Sequence, residues 1–250
     1  MTYQRPIALS IAGFDPTGGA GILADIKTFE QNKCLGFGVI TANTIQTESD
    51  FLSANWMDIE QVLASLKPLF QNYVINIVKI GIVQNLETLK EIVLYLTKQN
   101  PTIKIVWDTV LASSSGYNLL DGFTQSDLTE ILKKCYLITP NFNEVKLLAN
   151  KQDAQESVDF LKKYCNVYLK GGHNLSEIGV DYLFYNQTKL KIQTQASLLS
   201  AKHGSGCVLS SAIASKLALG EELEKACMEA KIYVEKILAS NTQLLGYHVQ

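Results

Sequence analysis

The sequence predicts an α/β fold built on a mostly parallel sheet with helices on both faces. Short apolar runs alternate with segments whose apolar residues recur at helical spacing, an order that is typical of βαβ units. Val, Ile and Leu dominate the apolar runs, as expected of strands that are buried on both faces. Two further β-like runs flank Asn186 and Gln187 and predict a small antiparallel hairpin.

The predicted elements follow one another with short connections. Strands are expected at residues 6–13, 37–46, 75–83, 103–110, 136–141 and 167–172. Helices are expected at residues 18–33, 57–70, 86–99, 126–135, 143–150 and 157–164. The hairpin covers residues 180–195, and two amphipathic helices are expected between residues 206 and 240. Since no linker, repeat or low-complexity stretch divides the chain, we expect one domain over residues 1–250.

The composition argues against several classes of protein. The chain has 250 residues, a formal net charge of −2 and a single arginine, Arg5, so it offers no basic stripe for a nucleic acid. No apolar run reaches the roughly 20 residues that span a bilayer, and no membrane association is expected. The chain starts without a signal-peptide pattern, and its five cysteines lack CxxC pairs. We therefore expect reduced thiols and a cytoplasmic protein.

Ligands of open parallel sheets bind beyond the carboxyl ends of the strands. The polar residues expected at that edge are Asp15, Gln46, Lys79, Asp108, Asn141, Glu144, Lys170 and His173. Simpler interpretations remain open for some of them. Asp108 fits a solvated acid as well as a ligand of metal or phosphate. Lys79 fits a surface lysine whose stem lies along apolar neighbours.

The stretch HGSGC, from His203 to Cys207, precedes an apolar helix. Backbone amides at a helix start, together with the helix dipole, make a site for anions such as phosphate. Cys207 lies where phosphoryl transfer needs a residue to receive the proton of the attacking hydroxyl. Helix N-termini and nearby cations lower the pKa of a thiol, so a thiolate is a reasonable expectation. A packed cysteine at a helix cap is the alternative.

Glycines also cluster after the first predicted strand. Gly19 to Ala24 formally match the dinucleotide pattern G-x-G-x-x-A, but the FDPT loop lengthens the turn and the second strand ends in Gln46 rather than an acid. This argues against a dinucleotide site and leaves close helix–strand packing as another role for the glycines. Asp25 could cap the helix or bond a ligand, and its spacing does not decide between the two.

Two further junctions carry polar residues. Asn141 and Glu144 suit magnesium bound through water, although their spacing alone favours a helix-capping box. Lys170, followed by two glycines, suits contact with phosphates, although a plain turn explains it almost as well.

Together the motifs AGFDPTGGAGILADIKT, KIGI, WDTV, TPNFNE, KGGH and HGSGC resemble the ribokinase-like superfamily. More closely, they resemble the hydroxymethylpyrimidine/phosphomethylpyrimidine kinases of thiamine biosynthesis, over almost the whole chain. The resemblance implies a ribokinase-like three-layer sandwich and a homodimer. It implies ATP and Mg²⁺ as cofactors and phosphorylation of 4-amino-5-hydroxymethyl-2-methylpyrimidine (HMP) and of HMP phosphate. A pyridoxal or pyridoxine kinase and a catalytically silent ligand-sensing module are the alternatives.

The resemblance also assigns roles to individual residues. Gly13, Asp25, Gln46, Ile82 and Val110 would line the pyrimidine pocket, with Gln46 and Asp25 bonding the ring nitrogens and amino group. Gly204, Ser205 and Gly206 would form the anion hole, and Cys207 would accept the proton. Lys170, Gly172 and His203 would lie on the nucleotide and phosphate side, and Asp108, Asn141 and Glu144 near magnesium.

The sequence departs from the family pattern near the phosphate end. Ala201 and Lys202 replace a common Asn-Thr pair, and the stretch from Val110 to Leu120 lacks a lysine that many relatives carry. Lys202 is a candidate to replace that missing charge.

Overall fold

A computed structural model of the chain describes residues 5–111, 124–173, 177–196 and 198–248. Its strands are β1 (Ile7–Phe14), β2 (Leu35–Gln46), β3 (Phe51–Trp56), β4 (Ile77–Ile80), β5 (Lys104–Trp107), β6 (Leu137–Ile138), β7 (Asn166–Leu169), β8 (Asp181–Tyr185) and β9 (Thr188–Ile192). Its α-helices are α1 (Gly21–Gln31), α2 (Ile59–Asn72), α3 (Leu86–Gln99), α4 (Gln125–Leu132), α5 (Phe142–Ala149), α6 (Ala154–Leu161), α7 (Ser205–Ala218) and α8 (Leu223–Leu238).

The strands of the described residues form one sheet in the order β3-β2-β1-β4-β5-β6-β7-β8-β9. The pairs from β2 to β7 are parallel, whereas β3, β8 and β9 are antiparallel to their neighbours. The predicted hairpin is therefore confirmed. Its turn residues Asn186 and Gln187 both have positive φ, as a tight two-residue turn between twisted strands requires.

Two apolar cores cover the two faces of the sheet. One core joins the sheet to α2, α3, α4, α5 and α6, and the other joins it to α1, α7 and α8. This arrangement confirms the predicted three-layer sandwich. No helix in the described ranges combines the length and apolarity needed to cross a membrane.

The boundaries of the elements differ from the sequence-based expectation in three places. β3 was not predicted, because Ser53 and Asn55 interrupt its apolar pattern and several of its side chains face solvent. β6 contains only Leu137 and Ile138, much less than the expected strand. The helix expected at residues 157–164 begins earlier, at Ala154, where Asp153 caps it through the Glu156 amide.

α7 is buried on nearly all sides and is not the amphipathic helix that was expected. It packs against α1 and α8 and against the central strands β1, β4 and β5. Its serines make this burial tolerable because their hydroxyls are paired: Ser210 with Asp108, Ser211 with Asp25, and Ser215 with the Ser211 carbonyl. The first turn of α7 therefore lies beside the carboxyl ends of the central strands.

Candidate active site

A cavity of about 580 Å³ opens at the carboxyl edge of the parallel strands. Seven of the polar residues predicted for this edge line it: Asp15, Gln46, Lys79, Asp108, Asn141, Glu144 and Lys170. The side chain of His173 and residues 112–123, which include most of the departing stretch from Val110 to Leu120, lie outside the described residues. The carboxyl ends of β1, β2, β4, β5, β6 and β7 thus bring these residues to one concave surface.

Two glycine-rich loops interlock at one side of this cavity. Gly204, the N-cap of α7, has φ 73°, and a Cβ on it would lie 2.1 Å from the Gly19 carbonyl oxygen. Gly21 begins α1 with φ 57°, and a Cβ there would lie 2.3 Å from the Gly13 oxygen. Close backbone packing therefore requires glycine at both positions. This is the packing role that the sequence left open for the first glycine cluster.

The residues that begin α7 line the cavity together with a lysine. Gly204, Ser205, Gly206 and Cys207 all line the cavity. A Cβ on Gly206 would lie 3.3 Å from the Nζ atom of Lys170, so the ammonium stands directly beside the helix start. A helix N-terminus and an ammonium at one point favour the negative charge of a phosphate.

Lys170 is itself held by two carboxylates. Its Nζ atom lies 3.0 Å from Asp108 and 3.6 Å from Glu144. Although burial raises the pKa of the Asp108 carboxyl, the charges of Lys170 and Lys79 hold it below its usual value. Burial dominates at Glu144 and raises its pKa, while in Lys170 the two carboxylates outweigh burial and raise the pKa of the ammonium. Lys170 therefore stays charged.

Asn141 and Glu144 form the capping box that their spacing favoured. The Asn141 side chain accepts hydrogen bonds from the amides of Asn143 at 2.8 Å and Glu144 at 2.9 Å. The Glu144 carboxylate accepts one from the Asn141 amide at 2.8 Å. The interaction fixes both side chains before any ligand binds.

The three residues expected around magnesium do not fit a directly bound ion. Lys170 already bridges Asp108 and Glu144, and the Asn141 oxygen is committed to backbone amides. Within the described ranges, no group of three or more His, Cys, Asp or Glu side chains could hold a metal. A hydrated cation that arrives on the phosphates of a nucleotide is the form this donor set can accept.

Asp25 and Lys79 correct two expectations. Both side chains are fully buried, and the Lys79 Nζ atom lies 2.8 Å from one Asp25 oxygen and 3.0 Å from the other. Asp25 does not line the cavity, where the pyrimidine contact was expected, because it lies beneath the cavity wall and is paired with Lys79, Ser10 and Ser211. Lys79 is not a surface lysine, because its ammonium is buried and forms an ion pair with Asp25.

Cys207 also differs from expectation. Burial raises the pKa of its thiol to about 11, although the charge of Lys79 and a hydrogen bond from the Gly21 amide act in the opposite direction. The structure therefore gives no support for the lowered pKa expected of a cysteine at a helix start. Cys207 lines the cavity and is only partly buried, but the sequence could not report that Asp108 and Asp25 come close enough to raise its pKa.

His203 joins the two glycine loops. Its Nε2 atom lies 2.9 Å from Asp15, whose carboxylate also accepts hydrogen bonds from the amides of Thr17 and Ala20. Burial raises the pKa of Asp15, but these hydrogen bonds outweigh it and leave the pKa below its usual value. The His203 amide donates to the Leu244 carbonyl at 2.9 Å. The segment after α8 thus braces the turn before α7.

Lys202 does not reach the phosphate end of the cavity. Its Nζ atom donates to the Asn241 carbonyl at 2.6 Å, on the side of the segment after α8. The proposed replacement of the family's missing lysine by Lys202 therefore finds no geometric support.

The remaining residues expected around the pyrimidine lie at one end of the cavity. Gly13, Gln46, Ile82 and Val110 all line it. A Cβ on Gly13 would lie 2.4 Å from the Ile82 side chain, so glycine leaves room for that apolar wall. Sequence reasoning missed two neighbours at this end, Thr44 and Phe51, the second because β3 was not predicted.

The opposite end of the cavity was largely missed. It is lined by Gly172, Gly179, Asp181, Thr194, Leu199, Lys231 and Leu238, of which only Gly172 was expected. Asp181 accepts hydrogen bonds from the Tyr168 hydroxyl at 2.7 Å and from Lys231 at 2.8 Å. Lys231 in the otherwise amphipathic α8 was the available signal, because a lysine on a buried helix face needs a partner.

Comparisons with known proteins point in one direction. A family model described as phosphomethylpyrimidine kinase matches residues 15–250. A hydroxymethylpyrimidine/phosphomethylpyrimidine kinase of Aquifex aeolicus (strain VF5) is 34% identical over 254 residues, which cover 97% of this chain and 98% of the relative. The solved phosphomethylpyrimidine kinase of Clostridium difficile 630 is 34% identical, with a TM-score of 0.77 over 92% of this chain and 98% of its own.

A second group of structures shares the fold. A pyridoxal kinase of Bacillus subtilis in complex with ADP superposes with a TM-score of 0.82 over 95% of this chain and 93% of its own. At 22% identity, that likeness concerns the fold alone.

Proposed function

The chain belongs to the phosphomethylpyrimidine kinase family, and we propose from that premise how its residues perform the reaction. The activity is the ATP-dependent phosphorylation of HMP on its hydroxymethyl oxygen, in thiamine biosynthesis. One observation carries the proposed mechanism: the start of α7 and the ammonium of Lys170 lie side by side at the wall of the cavity, which Cys207 also lines.

Phosphoryl transfer depends mainly on positioning and on stabilising charge at the transferred group. The amides of Gly204 and Gly206 would donate to its oxygens, and Lys170 would balance their charge. The Ser205 amide would join them by leaving the Lys202 carbonyl, to which it donates at 3.4 Å. Because Asp108 and Glu144 already hold the ammonium, little reorganisation is needed when the nucleotide binds. The attacking hydroxyl must release a proton, and Cys207 would accept it as a thiolate.

The two ends of the cavity suit the two substrates. Gly13, Gln46, Ile82 and Val110 line one end, which would hold the pyrimidine: the Gln46 amide would bond the ring, and Ile82 and Val110 would supply apolar contact. Gly172 and His203, which also line the cavity, would lie on the phosphate side, with the His203 ring held by its pairing with Asp15. Asp25 would act indirectly, through Lys79 and Ser211.

Magnesium would accompany the nucleotide phosphates and shield their charge. The Asp108 and Glu144 carboxylates would meet it through water, since Lys170 occupies the space between them. No catalytic role of the protein side chains above depends on a directly bound ion.

The assembly we propose is a homodimer of single-domain chains. Ile45 on β2 and Leu52 on β3 are 51% and 69% exposed, beside the sheet edge that β3 leaves unpaired in the described structure. A second copy related by a two-fold axis would cover these side chains. All five cysteines are free thiols, which fits the cytoplasm. Sedimentation of the wild-type chain and of Leu52→Glu tests the dimer, which the charge should dissociate.

The deciding experiment supplies the purified protein with ATP, Mg²⁺ and, separately, HMP, HMP phosphate and pyridoxal. ADP release and the phosphorylated products are measured. Turnover of HMP at a higher kcat/KM than pyridoxal supports the assignment, and product from HMP phosphate assigns the second transfer. Preference for pyridoxal would establish the alternative kinase, whereas binding of HMP and ATP without product would establish a ligand sensor.

Cys207→Ser tests the proton acceptor in the same assay. The variant should fold and bind nucleotide with unchanged affinity, because serine fits the same space, but lose most turnover. Unchanged turnover would return Cys207 to a packing role.

A further inference from the structure

Two helix starts meet beneath Cys207 in a reciprocal arrangement. Cys207 and Ser211 are four residues apart in α7, and Gly21 and Asp25 are four residues apart in α1, so each pair shares a helix face. The Gly21 amide donates to the Cys207 sulfur, and the Ser211 hydroxyl donates to Asp25 at 2.5 Å. The position of the thiol is therefore fixed relative to the Asp25 carboxylate.

Lys79 enters this junction from β4. Its side chain is wholly buried, yet it belongs to the residues that line the cavity. A Cβ on Gly81 would lie 3.0 Å from the Lys79 Nζ atom, so glycine is needed there to leave space for the ammonium. Asp25 anchors this ammonium through both oxygens, and Ser10 donates to the same carboxylate at 2.5 Å.

We propose that Lys79 is a positioning residue of this kinase, whose ammonium, anchored by Asp25, holds a positive charge beneath Cys207. The proposal rests on the proposed role of Cys207 as proton acceptor and extends it. Before the substrate hydroxyl is deprotonated, the charge of Lys79 raises the fraction of Cys207 that is a thiolate; the thiolate then takes the proton and becomes a neutral thiol. Asp25 keeps the lysine in place, and Asp25 and Asp108 together favour its charged form.

The surrounding charges agree with this role. Four charged groups act on Cys207 or respond to it: Lys79 from β4, Asp25 from α1, Asp108 after β5 and Lys170 after β7. Burial raises the pKa of the thiol, and of the neighbouring charges Lys79 opposes this most strongly, while Asp108 and Asp25 reinforce it. Burial lowers the pKa of Lys79 itself, but Asp25, Cys207 and Asp108 outweigh burial and keep it charged.

Stability alone does not explain the buried ion pair of Asp25 and Lys79. Well-packed apolar residues often replace such a pair without loss of stability, because desolvation offsets the attraction between the charges. The pair here lies under a nucleophilic side chain at the wall of the cavity, where charge affects chemistry.

Alkylation of Cys207 tests the proposal without substrates. The ligand-free protein is treated with iodoacetamide between pH 7 and pH 10, and modification of the Cys207 peptide is followed by mass spectrometry. Lys79→Met should slow alkylation at pH 8 by about tenfold, the effect of a one-unit rise in thiol pKa. Asp25→Asn should accelerate it by about threefold, because a negative charge is lost while Asp108 still helps to keep the Lys79 ammonium charged.

The opposite signs separate an electrostatic role from a structural one. If both variants changed the rate in the same direction, or if Lys79→Met had no effect, the proposal would be overturned. Ser10→Ala is the matched control, because it removes one hydrogen bond to Asp25 without changing charge, and its alkylation profile should match the wild type.

A second variant covers a failure of Lys79→Met to fold. Asp25→Asn combined with Lys79→Met leaves a neutral pair of nearly unchanged volume, and its alkylation should be about threefold slower than wild type. A rate equal to wild type would contradict the role of Lys79. In turnover assays, the same variants should lower kcat more than they change KM for HMP. Absence of turnover in the wild type would refute the kinase function. The alkylation rates would then still decide whether the Lys79 ammonium stabilises the Cys207 thiolate.

Discussion

Replacing Gly204 by alanine should damage both the fold and the site. At φ 73°, alanine costs about 1–2 kcal/mol relative to glycine. The new Cβ would also lie 2.1 Å from the Gly19 oxygen and 2.6 Å from the Ala20 Cα atom, and backbone atoms cannot rotate away. Displacing the loop adds about 2 kcal/mol, as overpacking typically does. We expect the free energy of unfolding to fall by about 3–4 kcal/mol.

Gly220→Ala is the matched control for this change. Gly220 has φ 87°, but no atom within 4 Å would meet its Cβ, so it carries only the backbone cost of about 1–2 kcal/mol. Urea unfolding of both variants measures the difference. Gly204→Ala should also lower kcat by about 100-fold, because the displaced loop no longer directs the amides at the start of α7 toward the transferred group. Gly220→Ala should keep full activity. Equal losses of stability in the two variants would refute the interlocking of the loops.

Three other outcomes are expected. Lys170→Met should lower kcat/KM for ATP by about 100-fold with little change in KM for HMP, and equal effects on both substrates would contradict its place on the phosphate side. Because the pKa of Cys207 is raised to about 11, kcat/KM should rise roughly tenfold per unit between pH 7 and pH 9, and a plateau at pH 7 would exclude the thiolate as the proton acceptor. Burial and Lys27 lower the pKa of His248 from 6.5 to about 4. As the pH falls, the unfolded chain therefore binds a proton on His248 before the folded chain does. The free energy of unfolding should be about 1–2 kcal/mol lower at pH 5 than at pH 7, and His248→Gln should remove this difference in urea unfolding experiments.

The layers of the fold were predictable because the buried strands are continuous apolar runs, whereas the helices repeat their apolar residues at helical spacing. β3 was not, since a half-exposed antiparallel strand that contains Ser53 and Asn55 lacks a continuous apolar run. The edge position of the polar residues was also predictable, because parallel strands all end on the same side.

The pairing of those residues could not be derived from spacing. Asp25 and Lys79 are 54 positions apart, and only packing of α1 onto β4 through α7 decides that they meet. One signal was present nonetheless: a lysine inside the apolar run around Ile77 and Ile80 needs a buried acid as partner. The thiol pKa of Cys207 depends on its surroundings in the folded chain, among them Lys79, Asp108 and Asp25, which no pattern near the cysteine reports.

Residues from Gln46 to Leu238 line one cavity, so the proposed sites of both substrates lie in the same compartment. A single molecule that joins a pyrimidine to an adenosine through a phosphate chain could therefore occupy both ends at once. Tethering raises the effective concentration of the second group, so such a conjugate should bind far more tightly than either half. For inhibitor design, the length of the phosphate linker then becomes the quantity to optimise, with the start of α7 as its fixed midpoint.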